Sequence, residues 1–219
     1  VTRANQSIAE FGPIFEALGL TDTQDPVKMK KNMDERKQNS PKAEKQRQAL
    51  REAIAFKKYE FDAHGVEMNH RYKSNSVLTE GDKEPEFKKD KELFYQPTTY
   101  PGARIPHAWV YDKTGVKHSL LDLCGKGNFS IFTGIGGEEW LKAAKNIETQ
   151  LGIKIQCNII GPDQDFEDHA GEWSSIREIS DSGLILVRPD QHICWRSKDM
   201  ISNSSEKLMD VMKKILHKR

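Results

Sequence analysis

The sequence predicts an α/β fold in which a mixed sheet flanked by helices follows a mostly helical segment. Three observations lead to this prediction. Up to about residue 95 the chain is dense in charge and in helix-capping signals, whereas beyond it short apolar runs alternate with turn residues. Between the two regions, repeated prolines allow only extended backbone. We therefore expect two parts, residues 1–95 and residues 96–219.

The first part is predicted to contain three helices and one strand. Residues 1–20 carry an apolar stripe that ends at Gly19, a residue suited to closing a helix. Asp25 and Ser40 each precede a proline, an order that predicts two further helix starts. Alternating polarity over residues 66–78 predicts a half-buried strand. The stripe of the first helix consists of Ile8, Phe11, Phe15 and Leu18, and that of the third consists of Ala43, Leu50, Ile54 and Phe61.

The second part begins with the proline-rich stretch PTTYPGARIPHAW, which predicts an extended connector. Periodicity then predicts eight elements. Strands are expected at 118–123, 128–133, 153–160, 183–188 and 192–196, and helices at 138–151, 173–179 and 205–217. The last two strands are expected to form a hairpin across Pro189 and Asp190. A βαβ unit followed by a hairpin and a closing helix is the element order of a thioredoxin-like fold.

Composition argues against several classes of function. Lys and Arg number 34 against 33 acidic residues, and both signs are spread along the chain, so we expect no nucleic-acid partner. No stretch approaches the roughly 18 apolar residues needed to span a bilayer, so we expect no membrane partner. The three cysteines lie far apart without a CxxC pair, which predicts free thiols in a reducing cytoplasm. The chain begins at Val1 without a Met, which suggests a segment of something longer.

Two local patterns resemble ligand-binding loops but differ from them at key positions. Gly134, Gly136 and Gly137 follow an apolar strand and open a helix, as phosphate-binding loops do. Two glutamates follow at once, and we interpret them as acids that favour the helix dipole. The acidic cluster from Asp163 to His169 lacks the glycine and glutamate of a calcium loop, so a solvated loop is expected. The histidines show no zinc-ligand spacing, and no metal is expected.

Several sequence stretches of the second part resemble, in the same order, the C-terminal part of the flavin-dependent aromatic hydroxylases, the phenol and chlorophenol monooxygenase family. These stretches are QPTTYPGARIPHAWV at 96–110, LLDLCGKGNFSIFTG at 120–134 and LVRPDQHICWR at 186–196. The resemblance implies a thioredoxin-like domain without redox cysteines, here residues 96–219, preceded by the tail of the FAD- and substrate-binding part, here residues 1–95. Gly81 and Asp82 resemble the pair by which the family holds its flavin, although the residues after them differ.

The resemblance also implies the partners and cofactors of the parent enzyme. That enzyme would use FAD and NAD(P)H to hydroxylate a phenolic compound, and the flavin-holding part would precede Val1. We therefore assign no catalytic, cofactor-binding or metal residue to this chain, and expect no cofactor bound to it alone. Its expected partner is the N-terminal flavin-binding part of the same enzyme. A second copy of the enzyme, in a homodimer, is a further expected partner.

Three residues of the connector are candidates for the contact with the flavin-binding part: Arg104, Pro106 and His107. The alternative for His107 is a packing or capping role. In the last hairpin, an ion pair between arginine and Asp190 is expected to steady the turn. Two other functions stay open. The chain could be a stand-alone, non-catalytic thioredoxin-like interaction domain, or a thiol-dependent enzyme that uses Cys124 or Cys194.

Overall fold

The computed structural model describes residues 2–218 and divides them into two compact units. The first unit runs to Glu67 and includes Lys89–Tyr95, and the second comprises Met68–Lys88 together with the chain from Gln96 onward. The chain therefore passes between the units at three places, after Glu67, Lys88 and Tyr95. No helix among the described residues combines the length and apolar character needed to cross a bilayer.

The first unit consists of short helices. The helix predicted over residues 1–20 is wrong in one respect, because the structure has two helices there. Pro13 explains the break, since proline lacks an amide hydrogen and its ring clashes with the carbonyl one turn earlier. Gly19 has a φ of +68° and ends the second helix region as predicted. The helices are α1 Thr2–Ala9, α2 Gly12–Ala17, α3 Pro26–Glu35, α4 Pro41–Phe56, α5 Lys58–Phe61 and α6 His64–Met68.

Both predicted helix caps are confirmed. The Asp25 carboxylate accepts from the Val27 amide at 2.9 Å, and Ser40 Oγ accepts from the Ala43 amide at 3.2 Å. The strand predicted over residues 66–78 is wrong. The segment begins inside α6 and continues as loop, with a single bridge between Arg71 and Ala103. The alternating polarity of residues 66–78 did not produce a strand, because no neighbouring strand lies beside this segment to form a ladder.

The second unit is built on a four-stranded sheet with the order β4-β3-β6-β7. Strands β3 and β4 are parallel, and the other two pairings are antiparallel. The βαβ unit, the hairpin and the closing helix occur in the predicted order, and the mixed sheet flanked by helices is confirmed. The bounds are β3 Phe129–Thr133, α7 Glu138–Leu151, β4 Ile155–Ile159, α8 Glu172–Ile176, β6 Leu184–Val187, β7 Ile193–Ser197 and α9 Ser204–Ile215.

A second sheet of three strands was not predicted. It has the order β2-β1-β5, with β1 Trp109–Asp112, β2 Lys117–Ser119 and β5 Phe166–Glu167. The strand predicted at 118–123 is wrong beyond Ser119, where a 3-10 helix follows at Leu120–Leu123. Ser119 causes the change, because its hydroxyl accepts from the Leu121 amide while Asp122 accepts from the Ser119 amide.

Apolar side chains cover both faces of the four-stranded sheet. Ile131 and Leu186 join a core with α7 and α9, whereas Phe132 and Ile185 join a second core with the connector and the 3-10 helix. Successive residues of a strand point to opposite faces, so each strand supplies both cores. This explains why β6 is a continuous apolar run and why all five residues of β3, including Ser130 and Thr133, are buried.

Gly102 joins the connector to the segment that precedes it. It has a φ of +99°, and a Cβ there would lie 2.3 Å from the Tyr72 carbonyl oxygen. We expect Gly102→Ala to lower the free energy of unfolding by about 2–3 kcal/mol through backbone strain and this clash. Gly115→Ala is the matched control, since Gly115 has a φ of +81° with open space around it, and should cost about 1 kcal/mol. Equal losses in urea denaturation would contradict the close approach.

Candidate functional site

A groove lies in the first unit, between α2, α3 and α4. It has a volume of about 620 Å³, and its lining combines acids such as Glu16 and Glu35 with bases such as Lys42 and Lys45. No histidine, cysteine, serine or aromatic residue lines it. Within residues 2–218 no group of three potential metal ligands is found either. Lys42 Nζ lies 3.6 Å from Glu35 Oε2, so these two charges pair with each other at the groove. The groove therefore offers no histidine, cysteine or serine for catalysis.

The glycine loop before α7 is not shaped to hold a phosphate. A Cβ on Gly137 would lie 1.9 Å from Thr133 Oγ1, so this glycine serves close packing within the second unit. The Gly134 amide is already bonded to the Asp181 carbonyl at 2.7 Å. Glu138 and Glu139 occupy the first turn of the helix and would repel an anion. The residues present here do not fit the pyrophosphate of a flavin dinucleotide.

Asp82 has a structural role in an ion-pair cluster with Arg196. Arg196 Nε lies 2.7 Å from Asp82 Oδ2, and its Nη1 lies 2.6 Å from Glu178 Oε2 and 2.9 Å from Thr99 Oγ1. Lys198 Nζ adds a second contact to Asp82 at 2.8 Å. The Arg196 side chain is only 6% exposed. The cluster fastens the segment around Asp82 and the connector to β7, and its acid is not available to a flavin.

The pKa of Asp82 makes the cluster sensitive to acid. Burial works to raise this pKa, but hydrogen bonds from Lys198 and Arg196 outweigh burial and hold the pKa below its usual value. Because the pKa of Asp82 is lower in the folded state than in the unfolded state, the ionised carboxylate stabilises the fold at pH values above the unfolded pKa of about 3.9. This stabilisation is lost as the pH falls from there through the folded pKa.

We therefore expect Asp82→Asn to be less stable than the natural protein by about 1 kcal/mol at pH 7, with the difference shrinking between pH 5 and pH 3. Urea denaturation at a series of pH values measures it. Asp199→Asn serves as the control for a general effect of removing one acid from the same region. A difference that stays constant down to pH 3 would contradict the role given to Asp82.

The predicted ion pair of the hairpin is confirmed for one of the two arginines. Arg188 Nη2 lies 2.8 Å from Asp190 Oδ2, whereas Arg196 is engaged with Asp82 and Glu178.

The acidic loop also bonds internally. Asp168 accepts from the amide and hydroxyl of Ser174, both at 2.8 Å, and thereby caps α8.

The three cysteines are free thiols, as predicted, and none is activated. Cys124 and Cys194 are buried, and Cys157 is half-buried. Burial raises the pKa of Cys124 and of Cys157 to about 11, and raises the pKa of Cys194 further. A catalytic thiolate needs the opposite shift, so this observation counts against a thiol-dependent enzyme.

We expect the folded chain to resist alkylation by iodoacetamide at pH 7. With a pKa of about 11, roughly one Cys124 thiol in ten thousand is ionised at that pH. Intact mass after brief treatment should show little label, whereas the same treatment in 6 M guanidinium should label all three thiols. Rapid labelling of Cys124 in the folded state would reopen the thiol-enzyme hypothesis.

The three predicted interface residues contact different elements of the second unit. Arg104 Nη2 donates to Gln191 Oε1 at 2.5 Å, and Pro106 is buried. His107 is exposed, with its Nδ1 2.8 Å from Ser119 Oγ and its ring edge-on to Trp109. These contacts agree with a packing role for His107, and a contact with a flavin-binding part stays a prediction.

The four tryptophans divide into three in the core and one at the surface. Trp140, Trp173 and Trp195 are buried, and Trp109 is 36% exposed with Lys117 Nζ 4.2 Å from its ring. Trp140 and Trp195 meet edge to face at 5.9 Å. Three of the four tryptophans thus belong to the apolar interior. Fold and sequence together define an α/β domain without a CxxC pair.

Comparison with known proteins gives this domain its family. The model of the C-terminal domain of aromatic-ring hydroxylases matches residues 98–218, and the chain belongs to that family. It is 46% identical over 216 residues to the 2,4-dichlorophenol 6-monooxygenase of Delftia acidovorans, covering 99% of this chain and 37% of that protein. It is 42% identical to the phenol 2-monooxygenase of a Pseudomonas species, covering 97% and 35%.

A solved structure supports the same relationship. The flavin-dependent monooxygenase PieE, determined in complex with FAD and substrate, is 36% identical, with a TM-score of 0.84 over 100% of this chain and 37% of PieE. Aklavinone-11 hydroxylase, in a ternary complex with FAD and aklavinone, is 28% identical with a TM-score of 0.59 over 68% of the chain. The chain spans little more than a third of the length of the two monooxygenases above and of PieE. The predicted family is confirmed.

Proposed function

We propose that this chain is the C-terminal portion of an FAD-dependent, NAD(P)H-using monooxygenase that hydroxylates phenolic compounds. One observation carries the proposal: 99% of the chain aligns with only 37% of a dichlorophenol monooxygenase at 46% identity. The bound flavin supplies the redox chemistry in enzymes of this kind. Within residues 2–218 the glycine loop before α7 does not form a phosphate cradle, which fits a chain that leaves flavin binding to another part.

The role proposed for the second unit is to cover the flavin- and substrate-binding part. The order β4-β3-β6-β7, with parallel β3 and β4 and an antiparallel hairpin, supports its classification as thioredoxin-like. Arg104, Pro106 and His107 are proposed to lie at the contact with the flavin-binding part. A homodimer contact on this domain and a cytoplasmic location, which free thiols favour, belong to the same proposal.

Enzyme kinetics on the longer natural polypeptide test the proposal. We expect FAD-loaded protein to oxidise NADH or NADPH faster when a phenol is added, and to form the corresponding catechol. The 219-residue chain with added FAD should do neither. A longer polypeptide without phenol-dependent oxidation, across phenol and its chlorinated and methylated forms, would contradict the proposal.

The alternative is a stand-alone, non-catalytic thioredoxin-like interaction domain. Two buried cores within the second unit favour a domain that folds by itself. The natural length of the gene product distinguishes the alternatives, because the interaction domain requires no flavin-binding part in the same polypeptide.

A further inference from the structure

The first unit lacks a core of its own. Both apolar clusters lie in the second unit, and within the described residues of the first unit the buried apolar side chains are Ala17 and Ala43. Two alanines bury little area, whereas folding a chain of this length must offset the lost conformational entropy of every residue. Helices of this size gain most of their stability from packing an apolar face against a neighbour. The unit therefore needs further apolar contact.

Large apolar side chains of the same unit lie exposed. Seven of them are between 45% and 78% exposed: Ile8, Phe11, Phe15, Val27, Ile54, Phe61 and Val66. Single exposed apolar residues are ordinary in proteins, but this unit buries two alanines and exposes seven large apolar side chains, so most of its apolar surface faces outward. The apolar stripe predicted for residues 1–20 supplies three of these seven.

Four of these residues are named here the Phe11 patch: Ile8 near the end of α1, Phe11 at the N-cap of α2, Phe15 within α2 and Ile54 near the end of α4. Ser7 Oγ donates to the Phe56 carbonyl at 3.1 Å, which joins the end of α1 to the end of α4. Lys57 Nζ donates to the Ser7 carbonyl and lies 3.5 Å from the centre of the Phe11 ring.

The surroundings of the patch indicate an apolar partner. The Phe11 and Phe15 rings lie 6.3 Å apart. Lys57, the cation on the Phe11 ring, has a side chain only 9% exposed and is bonded to the Ser7 carbonyl and paired with Glu60. It is therefore not offered to an acidic partner. A neighbour that covers the patch must present apolar side chains, as the interior of a protein does.

We propose that the Phe11 patch is covered by the part of the same polypeptide that precedes this sequence, so that the first unit completes its core against that part. The proposal rests on the proposed function for the occupant: the chain accounts for 37% of the length of a close relative, and more than half of such a polypeptide lies outside it. PieE aligns with this chain, first unit included, at a TM-score of 0.84 over its whole length. The helices of the first unit are thus retained in a much longer protein. This agrees with helices that pack against another part of the polypeptide.

Limited trypsin digestion of the longer natural polypeptide tests the proposal, because α3 and α4 offer many lysines and arginines. We expect these helices to be protected in the longer protein and cut rapidly in the 219-residue chain. Phe11→Ser together with Phe15→Ser should raise the cutting rate in the longer protein by about tenfold or more, since each lost burial favours local opening. In the shorter chain the same change should leave the cutting rate within about twofold, because both rings are already exposed there.

The matched control is Val116→Ser, which replaces an apolar side chain that is 52% exposed in the second unit. It should leave the cutting rate unchanged in both proteins. An unchanged rate for the Phe11 and Phe15 variant in the longer protein would overturn the proposal. Self-association of the shorter chain that this variant abolishes, with no effect in the longer protein, would also overturn it in favour of a second copy. Flavin absorbance and phenol-dependent activity are measured separately. If both are present but the Phe11 and Phe15 variant leaves the cutting rate unchanged, this inference alone is refuted and the proposed function stands.

Discussion

Arg196→Ala is expected to lower the free energy of unfolding by about 3–5 kcal/mol. The guanidinium is 6% exposed and holds Asp82, Glu178 and Thr99 at distances between 2.6 and 2.9 Å. Its removal leaves Glu178 without the cation that neutralises it and leaves Asp82 with Lys198 alone, and it breaks the link between β7 and the segment around Asp82. Urea denaturation at pH 7 followed by tryptophan fluorescence measures the loss.

Arg188→Ala provides the matched control, because it removes an arginine from the same hairpin. The Arg188–Asp190 pair has side chains 30% and 49% exposed, and exposed pairs contribute less than about 1 kcal/mol. Arg196→Lys should lie between the two variants, since lysine retains the charge but cannot bond to both acids in the same geometry. Similar losses for Arg196→Ala and Arg188→Ala would show that burial of the cluster is not what stabilises it.

Trp140→Ala is expected to cost about 3–5 kcal/mol through the cavity it leaves. Trp140 is fully buried in α7, its ring meets Trp195 at 5.9 Å, and its Nε1 donates to the Ser182 carbonyl at 3.0 Å. The substitution removes apolar contact in the core shared by α7 and α9, and also leaves a carbonyl without its donor. The same denaturation series measures it, with circular dichroism as a second signal.

Two further variants separate the contributions. Trp140→Phe retains an aromatic ring and should cost less, about 1–2 kcal/mol, largely for the lost hydrogen bond and volume. Trp109→Ala should cost about 1 kcal/mol or less, because Trp109 is 36% exposed at the edge of a small sheet. A cost for Trp109→Ala that equals that of Trp140→Ala would contradict the position of the core.

The sequence predicts the elements that local patterns determine. Helix α7 and strands β3 and β6 were correct to within a residue or two, because their apolar spacing is regular and glycines mark the ends. The caps at Asp25 and Ser40 were correct for a similar reason, since a capping oxygen acts on amides two or three residues away. The β3–α7–β4 order then determined the fold class.

Features that depend on distant contacts could not be predicted from local patterns. Arg196 meets Asp82 and Thr99, partners that are 114 and 97 residues away, and no spacing rule links them. Strand β1 lies in a proline-rich stretch and pairs with only a short strand on each side, so its own periodicity is weak. The break between α1 and α2 had a local signal in Pro13, which the apolar stripe outweighed in the prediction.

The predictions about function rested on motifs that the sequence lacks and on its resemblance to a family. The absence of a CxxC motif predicted unreactive thiols, and the structure adds the burial that raises the pKa of Cys124. The outward apolar face of the first unit had a signal in the stripe of residues 1–20, but a stripe alone cannot say whether it faces a core within the chain or a partner beyond it.

The intact mass of the natural polypeptide that contains this sequence, recorded with its visible absorbance, tests the central claim most directly. We expect a yellow protein roughly three times as long, since the chain covers 37% of a close relative. We also expect the 219-residue chain alone to be colourless after incubation with FAD and removal of the excess. A colourless natural product of this length, or a 219-residue chain that retains FAD, would contradict the account.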